Sequence, residues 1–180
     1  MRQLRGTELK RFVKGLEAPP GSLVVVLHDV EDPVNVGSAF RIADAAGVER
    51  LELAGITPSP PHKLISKVGR GKETRGAHRH TKDVADVIGR LKAEGFRIVA
   101  VELTDRSVPY DQAVYPEKVA LVMGHEDHGM PKKALQLCDE AVYVPMFGKG
   151  ASLNVHVAMG VVSFEVMRHW RQRSESNRSA

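Results

Sequence analysis

Short apolar runs that alternate with amphipathic stretches constrain the fold of this 180-residue chain more than any other feature. The helical stretches are 35–46, one beginning at Asp83, one opening at Pro131 and a last one from about Asn154 to Trp170. Between them stand five runs typical of buried strands: LVVVLHD, LELAG, FRIVAVEL, KVALVMG and EAVYVPM. Because buried parallel strands form unbroken apolar runs, we expect an α/β fold, with a mostly parallel sheet flanked by helices.

Single residues indicate where two helices begin and end. Thr7 can cap a short N-terminal helix that ends near Gly15, before Pro and Gly residues break the chain at 19–21. Asn35 can cap the helix over 35–46, and Gly47 is a suitable C-terminal cap for it.

The length of the chain fits one domain over 1–180, with a short basic helix over about 1–18 and a basic tail over about 168–180. No segment has the apolar core of a secretion signal or a membrane span. A single cysteine, Cys138, excludes an internal disulfide and is expected to be packed in the interior. We therefore expect a cytoplasmic protein without a membrane partner.

Positive charge is concentrated in three regions, although the net charge is only +4. Segment 63–82 contains Arg70, Lys72 and Arg75 and has Glu73 as its only acid. The two ends of the chain are also basic, with Arg11 and Arg168 among their charges. Each region fits an RNA phosphate surface as well as it fits a solvated protein face.

Three loops follow predicted strands, where ligands bind in parallel sheets. Loop 29–37 leads into a helix that carries Asn35 and Arg41, and the Arg41 guanidinium is suited to phosphate. Loop 124–130 holds Glu126 between two glycines, which allow a close backbone approach to a ligand. Loop 145–154 is rich in glycine and leads into the last helix, an arrangement that favours an anion or a polar ligand edge.

Metal and nucleotide sites are poorly supported. His125 and His128 are three residues apart in a glycine-bounded loop, whereas the zinc protease helix requires two histidines four apart. His78 and His80 lack an acid or thiol partner nearby in sequence, so we expect surface histidines. The glycine-rich loop matches neither the triphosphate nor the dinucleotide fingerprint.

Taken together and in order, the loops resemble the three motifs of the SpoU (TrmH-like) family of RNA ribose 2′-O-methyltransferases, in the SPOUT class. The motifs here are DPVNVGSAFRIADAAGV, LVMGHEDHGM and VYVPMFGKGASLNVHVA. The resemblance implies a C-terminal deep trefoil knot, a homodimer, S-adenosylmethionine as the cofactor and no metal. It also implies methylation of a ribose 2′-hydroxyl of RNA.

The resemblance assigns roles to particular residues. Arg41 matches the catalytic arginine, and Asn35, Glu126 and Asn154 match the other polar positions that shape the site. The positions that match the cofactor site are Gly124, Val144, Met146, Ser152 and Leu153. His156 stands where many members have serine, so its role is left open.

The reaction implied is direct attack of the 2′-oxygen on a sulfonium methyl group, which requires alignment and removal of a proton. The family is often described with arginine as the base, but a guanidinium pKa above about 12 makes neutral arginine costly. We therefore expect Arg41 to bind a phosphate and stabilise negative charge on the 2′-oxygen, with the proton acceptor open.

Three alternatives remain at the level of sequence. The RNA can be transfer RNA or ribosomal RNA, and the short stretch of about twenty residues before the first strand favours transfer RNA, since several ribosomal members carry an additional N-terminal domain. A catalytically silent RNA-binding protein of the same fold is opposed by the intact polar positions. A dehydrogenase is opposed by the missing phosphate fingerprint.

Overall fold

Seven parallel strands form a single sheet in the computed structural model, which describes residues 1–18, 20–150 and 152–178. Its order is β3-β2-β1-β6-β4-β7-β5, and every pairing is parallel. The strands are β1 (Ser22–His28), β2 (Arg50–Ala54), β3 (His78–Thr81), β4 (Arg97–Val101), β5 (Val108–Pro109), β6 (Lys118–Met123) and β7 (Glu140–Tyr143). The prediction of a parallel α/β sheet is confirmed.

Helices cover both faces of the sheet. They are α1 (Gly6–Lys14), α2 (Pro33–Ala46), α3 (Lys63–Gly69), α4 (Val84–Ala93), α5 (Lys132–Leu135) and α6 (Val155–Arg178). Residues of α2 and α6 pack with Val25 and Leu27 on one face, and residues of α4 and α5 pack with Val24 and Val26 on the other. Because successive side chains of β1 point to opposite faces, one apolar run supplies both halves of the core.

Two predicted helix caps are wrong. Helix α1 begins at Gly6, so Thr7 lies inside the helix and the N-cap position falls on Arg5. Asn35 lies inside α2, and Asp32 caps that helix by accepting a hydrogen bond from the Val34 amide at 2.8 Å. Proline at the first helical position explains the earlier start, since it has no amide hydrogen to leave unpaired there.

Other element boundaries also differ from the predictions. Segment 63–82, predicted only to be basic, contains α3 and β3, while β5 is a further unpredicted strand. Helix α5 has four residues, fewer than PKKALQLC suggested. Helix α6 continues past Trp170 to Arg178, because no proline or glycine follows to end it. Residues 19, 179 and 180, which belong to the predicted chain break and basic tail, lie outside the described residues.

The remaining expectations concern Cys138 and the membrane. The Cys138 side chain is half-buried beside the α4 face of the sheet, and burial raises the pKa of its thiol to about 11. None of the helices in the described parts of the chain is long and apolar enough to cross a membrane.

Candidate active site

The three predicted loops leave the sheet at its carboxyl edge. Loops 124–130 and 145–154 line a cavity of about 570 Å³ there, and loop 29–37 is joined to Glu126 at its border by hydrogen bonds. They meet because β1, β6, β4 and β7 are consecutive neighbours in the sheet, so the segments that follow them leave at the same edge. The five residues predicted to bind the cofactor all line this cavity: Gly124, Val144, Met146, Ser152 and Leu153.

Loop 124–130 forms one wall of the cavity. The backbones of His125 and Gly129 exchange hydrogen bonds of 3.2 and 3.0 Å, which close the loop on itself. A Cβ at Gly124 would lie 2.7 Å from the Gly129 carbonyl carbon, so the close approach requires glycine. Glu102, at the end of β4, accepts a hydrogen bond from the Met130 amide at 3.0 Å and thereby fixes the loop to the sheet.

The glycine-rich segment supplies the opposite wall through its two ends. Among its described residues, Met146, Ser152 and Leu153 line the cavity, whereas Gly148 and Gly150 do not. Both of these glycines lie in open surroundings, with nothing within 4 Å of an added Cβ. Ala151 lies outside the described residues.

Three of the four predicted catalytic residues are joined by hydrogen bonds beside the cavity. The Asn35 amide nitrogen donates to Glu126 Oε1 at 2.7 Å, and Asn35 Oδ1 accepts from the Asn154 amide at 3.2 Å. Glu126 and Asn154 also line the cavity, and Asn35 is buried behind them. We call these three side chains the polar network.

The Glu126 carboxylate is held in its charged form. Partial burial alone would raise its pKa, but hydrogen bonds from Asn35 and from the backbone amides of Glu31 and Asp32 hold the pKa below its usual range. The carboxylate thus ties the loop after β1 to the loop after β6 and is a poor proton acceptor.

His156, for which the sequence indicated no role, contacts the polar network. Its Nδ1 lies 2.8 Å from Asn35 Oδ1, and its backbone amide donates to Asn154 Oδ1 at 3.0 Å. Burial lowers the pKa of His156, and the Asp32 carboxylate offsets this only in part. The ring is therefore neutral near pH 7.

Arg41, the fourth predicted catalytic residue, stands apart from this network. It is exposed on α2, and its guanidinium makes no hydrogen bond or ion pair with the described parts of the chain. A guanidinium without a protein partner remains available for an anionic ligand.

The predicted RNA-binding residues of segment 63–82 lie beside the helix that carries Arg41. Helix α3 packs so closely on α2 that a Cβ at Gly37 would lie 2.9 Å from the Ile65 carbonyl oxygen. Arg70 and Arg75 are exposed, and Lys72 forms an ion pair with Asp44 on α2. Positions 37 and 44 flank Arg41 on the helix at spacings of four and three residues, so the basic segment and Arg41 share one side of α2.

The other two predicted RNA contacts lie at the ends of the chain. Arg11 is exposed on α1, whose nine residues are all exposed. Arg168 is exposed on α6 and pairs with Glu165, which accepts from its Nε at 2.7 Å. The structure does not bring these two residues into the polar network.

The described residues hold no group of three or more His, Cys, Asp or Glu side chains arranged to bind a metal ion. His125 and His128 stack on each other with ring centroids 4.6 Å apart, and His125 Nδ1 accepts the Asp127 amide at 3.0 Å. His78 and His80 are exposed on β3, and each bonds a backbone carbonyl.

The fold and this arrangement can be set against proteins of known family. The model of the SpoU rRNA Methylase family matches residues 22–164. The chain belongs to this family. Three similar proteins show how far the likeness extends.

A tRNA (guanosine(18)-2′-O)-methyltransferase of Thermus thermophilus is 30% identical over 93% of this chain and 86% of its own length. A 23S rRNA (guanosine-2′-O-)-methyltransferase of Ralstonia nicotianae is 32% identical over 89% of this chain and 63% of its own. The crystal structure of an AdoMet-bound rRNA methyltransferase from Sinorhizobium meliloti has a TM-score of 0.78 and 30% identity, covering 87% of this chain and 60% of that one.

Two contributors to the SpoU-type site were missed at the level of sequence. Glu102 fixes loop 124–130, and the available signal was a single acid inside the predicted apolar strand FRIVAVEL, at a position that directly follows β4 in the structure. His156 touches Asn35 across 121 residues of sequence, and no local pattern reveals such a contact. Both residues act through groups that only the folded sheet brings together.

Proposed function

We propose that this SpoU-family chain transfers a methyl group from S-adenosylmethionine to a ribose 2′-hydroxyl of RNA. The observation that carries the proposal is the polar network of Asn35, Glu126 and Asn154, which borders the cavity at the carboxyl edge of the sheet. Its members come from α2, from loop 124–130 and from the segment before α6, and each lies in one of the three motifs.

The cavity suits the proposed cofactor. Its volume of about 570 Å³ lies within the range of about 300–1,000 Å³ typical of small-molecule sites. The five residues proposed to hold the cofactor combine apolar side chains with backbone groups, and Gly124 allows loop 124–130 to close tightly beside them. When bound, S-adenosylmethionine supplies an electrophilic methyl group on a sulfonium.

The residues around the cavity take distinct parts in the proposed reaction. Glu126 holds Asn35 and keeps the loops after β1 and β6 together. Arg41, exposed and unpaired within the described chain, binds a phosphate next to the target ribose and stabilises negative charge on the 2′-oxygen. Arg70, Lys72, Arg75, Arg11 and Arg168 are proposed to contact other phosphates.

The decisive experiment measures both halves of this function. Calorimetry with S-adenosylmethionine tests the cavity, and transfer of a labelled methyl group to RNA, followed by mapping of the modified ribose, tests the reaction. Absence of S-adenosylmethionine binding contradicts the proposal and supports the alternative of a catalytically silent RNA-binding protein of the same fold. Binding of the cofactor without transfer to any RNA contradicts the proposed reaction.

Transfer RNA is the proposed substrate class, in preference to ribosomal RNA. The match to the T. thermophilus tRNA enzyme runs through most of both chains, which supports this preference. Mapping 2′-O-methylation in total RNA from cells with and without the protein identifies the nucleotide. A site lost from 23S rRNA, with transfer RNA unchanged, would reverse the preference.

Three further expectations from the resemblance are proposals as well: a homodimer, a cytoplasmic location and a C-terminal trefoil knot. Val157 and Phe164, seven residues apart on α6, are 41% and 52% exposed, which supports self-association through that helix. Sedimentation equilibrium of the purified chain measures the oligomeric state, and a monomer at micromolar concentration would contradict the dimer.

A further inference from the structure

The His156 ring is fixed on one side by the polar network. Its Nδ1 lies 2.8 Å from Asn35 Oδ1, and the nitrogen of the same amide is committed to Glu126 Oε1 at 2.7 Å. Because a carboxylate accepts only, the Asn35 amide must present its oxygen to His156. Nδ1 therefore carries the proton in the neutral ring, and Nε2 holds a lone pair.

This Nε2 is free to accept a proton. It makes no hydrogen bond with the residues that the structure describes, and the ring is only half-buried. The charged groups that face it are Asp32 from the N-terminus of α2 and, across Asn35, Glu126. Strands β4 and β6 present apolar side chains to α6, so no cation comes from the sheet.

The other polar groups of the site are poor proton acceptors. The amides of Asn35 and Asn154 are not basic, and the Arg41 guanidinium has no acceptor atom. Glu126 already accepts three hydrogen bonds that stabilise its charge. His125 Nδ1 is occupied by a backbone amide, which leaves the His128 ring and the Asp127 carboxylate as competing proton acceptors at the cavity wall.

We propose that His156 Nε2 accepts the proton of the ribose 2′-hydroxyl during methyl transfer. Residue 156 lies in the first turn of α6. Its neighbours Val155 and Ala158 line the cavity, and His156 stands at the border of the cavity, where it contacts the polar network. The inference deepens the proposed function and rests on it.

The proposed step conserves atoms and charge. The 2′-oxygen forms a bond to the methyl carbon as the bond from that carbon to the sulfonium sulfur breaks, and the sulfur keeps the electron pair as a neutral thioether. The 2′-hydroxyl proton moves to Nε2, giving an imidazolium that the nearby Asp32 carboxylate stabilises. The imidazolium then loses its proton to solvent from the exposed side of the ring.

Two substitutions separate the proton acceptor from a purely positioning role. His156→Asn places an amide nitrogen where Nδ1 stands, so it can keep the bond to Asn35 while lacking a basic nitrogen. His156→Ala removes both the bond to Asn35 and the basic nitrogen. We expect single-turnover methyl transfer in His156→Asn to fall about 10²-fold or more, with unchanged calorimetric affinity for S-adenosylmethionine.

The pH profile gives a second criterion. In the wild type the rate should rise with pH as the imidazolium deprotonates and then level off, because only the neutral ring accepts a proton. His156→Asn should lose this rise, while the control His169→Asn, on the same helix and packed edge-on against Tyr115, should keep both the rate and the profile. A near wild-type rate in His156→Asn, together with a slow His156→Ala, would reduce His156 to a positioning role and overturn the proposal.

A measurement without turnover tests the geometry itself. The His156 signals in a nitrogen-detected NMR spectrum are those that disappear in His156→Asn. They should show the Nδ1–H tautomer and a pKa lowered from the ordinary histidine value by burial. An Nε2–H tautomer would overturn the proposal. If the wild type binds S-adenosylmethionine but methylates no RNA, the proposed function and this inference both fail. If the wild type methylates RNA and His156→Asn does so at the same rate, only this inference fails.

Discussion

At the scale of single residues, Arg41 and Glu126 have opposite tasks because their surroundings are opposite. The Arg41 guanidinium is exposed and unpaired within the described chain, whereas the Glu126 carboxylate is saturated by donors. The first is suited to substrate, and the second to holding the protein together.

Replacement of Arg41 should therefore affect turnover and not cofactor binding. We expect Arg41→Ala to lower kcat about 10²- to 10³-fold, with an unchanged calorimetric Kd for S-adenosylmethionine, because the proposed partner of the lost cation is the RNA and not the cofactor. Arg41→Lys keeps the charge without the fork of donors and should recover part of the rate. Wild-type turnover in Arg41→Ala would refute this role.

Replacement of Glu126 should affect folding stability in a pH-dependent way. In Glu126→Gln, the new side-chain NH₂ group faces donors, because the Glu31 backbone amide and the Asn35 side chain donate to the two carboxylate oxygens of the wild type. We therefore expect a loss of about 1–3 kcal/mol in the free energy of unfolding at pH 7. Because the folded pKa is lowered, the carboxylate stabilises the protein above its unfolded pKa and loses this effect as pH falls through the folded value. Urea unfolding at pH 7 and near pH 4 should show the gap between variant and wild type narrowing in acid.

At the scale of elements, the sequence predicts what hydrophobic periodicity can encode. Strands β1, β2, β4, β6 and β7 stand within a residue or a few of their predicted bounds, since their apolar runs are buried between helices. The edge strand β3 was missed because its sequence HRHT is exposed and carries no apolar run. Strand β5 has two residues and leaves no pattern at all.

Parts of the candidate site also lay beyond sequence reasoning. Motif spacing indicated Asn35, Glu126 and Asn154, but their hydrogen bonds span 91 and 119 residues and exist only once the strands are ordered. The contact between His156 and Asn35 spans 121 residues and likewise exists only in the folded chain.

The segment formed by α3 and β3 should contribute to RNA affinity as a unit. Replacing Arg70, Lys72 and Arg75 with glutamine should weaken RNA binding and reduce the slope of log K against log salt by up to about 2.7, if each meets one phosphate. Lys92 on α4 and Arg97 and Lys118 at the starts of β4 and β6 are not among the proposed RNA contacts, and their triple glutamine variant is the control. Equal salt slopes in the two variants would exclude the segment.

At the scale of the whole molecule, the C-terminal helix is anchored against the beginning of the sheet. Trp170 is buried, and its Nε1 donates to the Pro116 carbonyl at 2.8 Å. Gly21 has a φ of +135° and lies so close to this ring that an added Cβ would be 2.7 Å from it. Gly21, directly before β1, thus packs against Trp170 of the C-terminal helix.

A substitution at this contact should destabilise the entire fold. We expect Gly21→Ala to lower the free energy of unfolding by about 1–3 kcal/mol more than Gly47→Ala does. Gly47 has a φ of +67° and nothing within 4 Å of an added Cβ, so Gly47→Ala carries only the strain of a left-handed backbone, whereas Gly21→Ala adds a more strained φ and the contact with the ring. If urea denaturation gives the two alanine variants equal losses in the free energy of unfolding, the Trp170 ring moves aside without an energetic cost, and the prediction is wrong.

The Asn35 amide has an evolutionary consequence. The Asn35 side chain forms hydrogen bonds with Glu126, Asn154 and His156 together. A substitution at any of these four positions therefore changes which residues the other three positions tolerate. A different residue at 156 would then be tolerated only on particular backgrounds, and the three loops should exchange between relatives as a set. Grafting one loop alone tests this epistasis: a single-loop chimera should lose more activity than the chimera that carries all three.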